Sequence, residues 1–333
     1  MWNLLQNKIL IIILLFILTG CATTINTTRI IPAGANEVTK YKTVAFLDFT
    51  GNKGVDASSK LESTVIKANV NGSKPYIVVD RKNINKILAE KQLQSSNKNQ
   101  NNFKNIGKLI GADALWYGNA ESSYNVTRSY ETRSRCLRYN DGVCTLYSEY
   151  TVPCESRKLV LNVSPKLSSV ETGQVVYSKE FTATDSSFVC NDYSYSGRTE
   201  GDLYNSAVQD ILYQYRLDIA PYVEHVSIAL MDNKEGTNKN SFELLKNGID
   251  FAKNNRIEKA CSLWIKGLKE TPESISLNYN VGVCNELLSN YNEALKFYLK
   301  AEDYSKKPIN TISAAIIRTK ENIENTKTLK KQM

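Results

Sequence analysis

Histidine occurs once in the 333 residues, at His225, and that scarcity removes whole classes of chemistry. A single histidine with no motif-placed nucleophile makes no catalytic triad. None of the seven cysteines stands in a CxxC spacing, and the middle cluster has no histidine nearby, so no metal ligand set is expected. No glycine-rich phosphate loop follows any predicted strand, and no cofactor is expected. No apolar run approaches the ~20 residues of a membrane-spanning helix. No basic stretch interleaves with aromatics. Part of the formal charge of +8 sits in the C-terminal tail, at Arg318, Lys320, Lys327, Lys330 and Lys331, so nucleic acid is not an expected partner. What remains is a chain that is 42% apolar and 23% charged, the balance of a globular protein, and long enough for two domains with real cores.

The N-terminus carries Lys8 and then an almost unbroken Ile/Leu/Phe run from Ile9 to Leu18, which reads as the apolar region of a signal peptide over residues 1–20. Leu18-Thr19-Gly20-Cys21 follows and resembles a bacterial lipobox. The resemblance implies cleavage before Cys21 and acylation of its thiol and new amine, with several acyl chains giving stable anchoring. Ala22, where an aspartate would mark inner-membrane retention, favours the outer membrane, with the chain on its periplasmic face. Residues 21–40 are polar and without periodicity, and read as a tether.

An envelope address makes disulfides the expected state of Cys136, Cys144, Cys154 and Cys190, and three pairings stay open. Between them lie stretches of alternating polarity, which read as compact loops tied by the cysteines. Cys261 falls on the second helix of the first of two C-terminal helical repeats and Cys284 on the first helix of the second, so a disulfide across that interface is one alternative and two free thiols the other.

The compact run Lys42–Phe49 reads as a buried strand, residues 57–70 as a helix with Leu61 and Val65 inward, and Tyr76–Asp80 as a second strand. Ile84, Ile87, Leu88 and Leu93 mark another helix, Phe103–Ile110 a short one, and Ala112–Gly118 a third strand. This βαβαβ order predicts an α/β (α+β) sandwich-like domain with a mixed sheet and helices over residues 41–222. Hairpin strands follow across 121–157. Leu159–Leu167 and Gln174–Ser178 pair across the turn Glu171-Thr172-Gly173, and a helix runs from Asp202 to Ile219.

Val44–Phe49 with Thr50 and Asn52, then Val78-Val79-Asp80-Arg81, Ile87–Gln92, Ile106–Asp113, Gly118 and Glu171-Thr172-Gly173 give an order that resembles the CsgG-like lipoproteins, the group holding the curli secretion channel. It is also similar to the LpoB-type activators of penicillin-binding proteins. Asp48, Asp80, Arg81 and Glu90 are expected to be structural in this pattern. Channel members of the family imply a homo-oligomeric ring with membrane hairpins, for which 121–157 and 178–197 are the candidates. The first of these alternates Tyr124, Val126, Arg128, Tyr130, Thr132 and Ser134, and so turns polar where lipid would lie.

Residues 223–240 read as a linker, and 241–328 as an all-α domain with a 34-residue period, that of a tetratricopeptide repeat. Gly248, Phe251, Ala260, Trp264, Gly267 and Pro272 match the first copy. Gly282, Ala294, Tyr298 and Ala301 recur in phase, and Asn285 stands where the first copy has Phe251. Residues 309–328 would cap the array. Such repeats bind proteins. The chain is therefore expected to be a non-enzymatic scaffold or adaptor in envelope assembly or secretion, anchored to the outer membrane and holding envelope protein partners through the repeats. An export-channel subunit and a peptidoglycan-synthase activator are the alternatives.

Overall fold

The computed structural model describes residues 23–70, 72–80, 107–192 and 196–332. In chain order its elements are β1 (Thr24–Ile31), β2 (Thr43–Phe46), α1 (Gly54–Lys67), β3 (Ile77–Val78), β4 (Ala114–Asn140), β5 (Val143–Ser169), β6 (Val175–Ser178), β7 (Phe181–Cys190), α2 (Glu200–Ile219), β8 (Tyr222–Ala229), α3 (Lys239–Lys253), α4 (Ile257–Glu270), α5 (Ile275–Leu287), α6 (Tyr291–Asp303) and α7 (Asn310–Gln332). Pro32–Tyr222 belong to one compact unit, and β1 with Val223–Lys330 to another. The expected helix at 84–93 lies outside the described residues, as do the lipobox and most of the short helix at 103–110.

The first unit is built on a mixed sheet in the order β3-β2-β4-β5-β6, with β7 also paired to β5. β2 runs parallel to β3 and β4, whereas β4–β5, β5–β6 and β5–β7 are antiparallel. Val44, Ala45 and Phe46 are apolar in succession because the strand is covered on both faces. Val44, Phe46, Ala114 and Trp116 face the helices and pack with Leu61 and Val65 of α1 and Leu203, Ile211 and Tyr215 of α2. Ala45 and Leu115 face the other way, toward Ala112, Val170 and Ile110. Trp116 stacks on Phe46 and meets Tyr177 and Tyr215 edge-on, with ring centroids 5.8, 5.4 and 5.3 Å away. α2 opens with a capping box in which Thr199 and Asp202 satisfy each other's backbone amides. The Thr199 hydroxyl and amide hold the Asp202 carboxyl below its ordinary range.

Two expectations need correction here. The lead at 21–40 is not a structureless tether. Residues 24–31 form β1, which pairs with β8, and Val38–Lys40 make a 3-10 turn with Val38 fully buried. Thr24, Ile25, Thr27, Thr28, Ile30 and Ile31 are β-branched, and that stiffness favours a strand although the polarity of the segment conceals it. β8, Tyr222–Ala229, likewise takes residues 223–229 out of the expected 223–240 linker. The second correction concerns the cysteine-bearing stretch. The hairpin strands expected across 121–157 are present, but they belong to one long hairpin of two continuous 27-residue strands, β4 and β5, and are not compact loops tied by the cysteines. No proline or glycine interrupts β4 after Gly118. The reversal occurs at Asp141-Gly142, both at positive φ (48° and 79°), as a type I′ turn demands.

The second unit contains β1, β8 and five helices among the described residues. α3 packs on α4 and α5 on α6 through a repeated device. A Cβ at Gly248 would lie 2.1 Å from Trp264 Nε1, and one at Gly282 would lie 2.6 Å from Tyr298 Cε1. Each glycine lets an aromatic ring approach the helix backbone, and the second pair repeats the first 34 residues on (248 to 282, 264 to 298). α5 is buried nearly all round, as a central helix must be. Its polar side chains are paired: Ser276 donates to Asn233 O (2.8 Å), Asn278 to Pro272 O (2.7 Å), and Asn280 bonds both the N–H and the C=O of Met231 (3.0 and 2.8 Å).

Candidate functional site

Two surfaces carry features that packing alone does not require. The first is the β4–β5 hairpin with β7. At about 3.3 Å per residue its strands extend roughly 90 Å, and β7 lines β5 only as far as Cys154, which pairs with Cys190 in register. Disulfides join Cys154 to Cys190 and Cys136 to Cys144, so the structure selects one of the three open pairings. Glu131 lies close to the Cys154 and Cys190 sulfurs, but these are bonded to each other and offer no thiolate to a metal. Along one face Val126, Arg128, Tyr130 and Thr132 stand opposite Arg157, Glu155, Pro153 and Thr151. Along the other, Glu131 and Arg133 stand opposite Val152 and Tyr150. Arg128–Glu155 (3.4 Å), Arg157–Glu155 (2.9 Å), Arg133–Asp192 (3.0 Å) and Arg133–Glu131 are ion pairs. Both faces thus carry charge where a membrane strand would keep one face apolar. Asn52 bonds the backbone of Ser122 in both directions, and beyond it no strand among the described residues pairs with the outer edge of β4. A nonreducing peptide map of the oxidised protein is expected to recover Cys136–Cys144, Cys154–Cys190 and Cys261–Cys284 as linked pairs. Any other pairing among the first four would contradict this hairpin.

The second surface is a groove of about 580 Å³ between α4 and α5. Ile257, Cys261, Ile265, Leu287 and Leu288 line it, Lys266 and Lys269 stand at its rim, and the Cys261–Cys284 disulfide joins its two walls. Leu288 is 72% exposed and Ile265 44%, although both belong to an otherwise well-packed helical layer. Beneath α5 lies a buried polar cluster. Glu286 accepts two bonds from Arg318 (2.7 and 2.9 Å) and one from the Tyr298 hydroxyl (2.6 Å). Burial and then the adjacent Glu286 push the Tyr298 hydroxyl well up. Although burial opposes its charge, Glu286 raises the Arg318 guanidinium. Arg318 is therefore not part of an exposed basic tail, because it carries the countercharge of a buried carboxylate.

Gly248, Ala260, Trp264, Gly282, Ala294, Tyr298 and Ala301 are all buried at helix contacts, and Phe251 is half-buried against the same core. Asn285 spends its amide on Val281 O at 2.9 Å. His225 is exposed on β8. Cys21, Arg81 and Glu90 lie outside the described residues. Sequence reasoning missed β1, the Glu286–Arg318 pair and the groove. The Asp141-Gly142 dipeptide was the available signal for the hairpin turn.

Among the described residues no helix is long and apolar enough to cross a membrane. A search of curated proteins found no match. Three solved structures are similar at low identity. The LpoB C-terminal domain from Salmonella enterica is 14% identical, covers 45% of this chain and 94% of its own, and gives a TM-score of 0.24. Lipoprotein GNA1162 from Neisseria meningitidis is 12% identical, covers 52% and 96%, and scores 0.23. Hypothetical protein CT253 from Chlamydia trachomatis is 13% identical, covers 54% and 98%, and scores 0.26. Residues 36–192 match the family described as curli production assembly/transport component CsgG. That range holds the mixed sheet, the long hairpin and both of its cysteine pairs, and over it this chain is similar to the CsgG family.

Proposed function

We propose that this protein is a non-enzymatic scaffold, anchored by an acylated Cys21 to the periplasmic face of the outer membrane, that captures a protein partner through its helical unit during envelope assembly or secretion. The observation that supports this most is the repeated glycine–aromatic hairpin packing of α3–α4 and α5–α6 together with the apolar groove beside it. The repeat has the period of a tetratricopeptide array, a fold that presents grooves to peptides. The family it resembles is described by assembly and transport, and by no catalytic activity.

Photo-crosslinking from positions 265 and 288 in growing cells tests this reading. A discrete adduct is expected at both positions, lost when Lys266 and Lys269 are both changed to Glu, while position 317 on α7 gives none. Equal labelling at all three positions would reject a specific partner in the groove.

Beyond Ser122 the outer edge of β4 pairs with no strand among the described residues, and this favours a second reading, a subunit of an export channel, because such an edge can accept a strand from a neighbouring copy. The charged faces of the hairpin weigh against it. Sizing and negative-stain imaging of the acylated protein in mild detergent separate the two: a monomer or dimer fits the scaffold, and a closed ring fits the channel. The activator reading loses support from β1, which removes the reach that a tether would have supplied.

A further inference from the structure

β1 begins at Thr24, so only Ala22 and Thr23 separate it from Cys21. Three trans peptide steps span at most about 11 Å. This inference rests on the acylation of Cys21 proposed above. Given that anchor, we infer that one particular end of the helical unit is held against the bilayer surface.

The end is identified by the contacts that continue from Thr23. Thr23 O accepts from Leu230 N at 2.7 Å, which places the start of the 230–238 loop beside the anchor. That loop is fastened to the helices by Ser276 Oγ to Asn233 O (2.8 Å) and by Gly236, where a Cβ would lie 2.8 Å from Glu273 O. Asn240, at the start of α3, bonds the Glu270 carboxylate at the end of α4 (2.8 and 2.7 Å). The anchor-side end thus comprises the 230–238 loop, the first turn of α3, and the turn between α4 and α5. α3 has 15 residues and α5 has 13, so at 1.5 Å per residue the α3–α4 and α5–α6 turns lie about 20 Å farther away.

The strand cannot easily swing away from this arrangement. Arg29 of β1 bonds Glu224 of β8 at 2.5 Å and Asn322 of α7 at 3.1 Å, and Ile25 is buried in the helical core. The anchor-side end carries Lys234, Lys239 and Lys269 against Asp232, Glu235, Glu270 and Glu273. It has no cationic excess, so a polybasic attraction to anionic lipid is not what holds it there. The short covalent connection does so, and the partner surface is a lipid bilayer met without insertion.

The test uses the full acylated chain in vesicles of phosphatidylethanolamine and phosphatidylglycerol, a fraction of which bears a nitroxide on the headgroup. A fluorophore is placed in turn on Glu235→Cys, Glu273→Cys, Lys253→Cys and Asn290→Cys, all exposed positions. Quenching is expected to be several-fold stronger at 235 and 273 than at 253 and 290, and unchanged by high salt. Equal or reversed quenching in protein whose intact mass includes the acyl chains overturns the orientation and leaves the anchor standing. An intact mass without acyl chains overturns both. Strong quenching at 235 that salt abolishes would show electrostatic adsorption and overturn the role given to the short connection.

Discussion

Glu286→Ala is expected to lower the unfolding free energy of the helical unit by about 3–5 kcal/mol, the usual cost of breaking a buried pair by removing one partner. The carboxylate is almost fully buried, and the guanidinium it serves is only 16% exposed. Its loss strands the Arg318 charge and removes the acceptor of the Tyr298 hydroxyl. The pair is not irreplaceable. Glu286→Leu combined with Arg318→Met is expected to recover most of the loss, since two charges leave the interior together and similar volume returns. Urea unfolding followed by circular dichroism checks both. A Glu286→Ala midpoint equal to wild type would mean that solvent reaches the cluster, and a double variant worse than the single one would mean that the polar network does more than neutralise itself. Tyr279, close by and pushed up to about 12 by burial, also donates to Ala229 O. The disturbance should therefore extend to the end of β8.

Trp264→Ala should cost the same unit a comparable amount, about 3–5 kcal/mol, through the cavity it leaves. The indole is fully buried, and its Nε1 donates to Leu245 O at 3.1 Å. The reciprocal change tests the fit from the other side. Gly248→Ala places a methyl on the indole nitrogen and is expected to cost about 1–3 kcal/mol by overpacking, more than an alanine normally gains in a helix. Gly282→Ala, against the Tyr298 ring, should behave alike. If Gly248→Ala were stabilising, the close approach would not be needed and the repeat would be a coincidence of composition.

Those glycine–aromatic pairs explain why the helical unit was readable at all. A small residue and a large one at fixed offset leave a period in the sequence, and the structure places both copies at helix contacts. The α/β core was readable for a related reason: Val44-Ala45-Phe46 and Leu61/Val65 are apolar in patterns that only strand and helix satisfy. Glu286 left no such trace. It lies inside an apolar helix and finds its countercharge 32 residues away, in a segment that composition alone assigns to a basic tail. β1 was hidden by threonine, which counts as polar in a hydropathy reading but behaves as β-branched on a backbone. The hairpin strands were legible across 121–157 but their length was not, because β4 alternates without becoming amphipathic, so its length follows from an absence of breakers and not from a hydrophobic face.

The two cysteine pairs of the hairpin divide it mechanically. Up to Cys154 the ribbon has three strands, and α2 packs on β5 and β7 there. From Tyr130 to the turn, among the described residues, it has two strands and no helix behind it, a length of roughly 35 Å at about 3.4 Å per residue. A beam with such a step in thickness bends at the step. A lateral load on the tip is therefore absorbed as a hinge motion beside the Cys154–Cys190 bond, while the Cys136–Cys144 bond keeps the tip from splaying. Whatever the far end touches, the arm transmits its position as an angle and spares the sheet at its root.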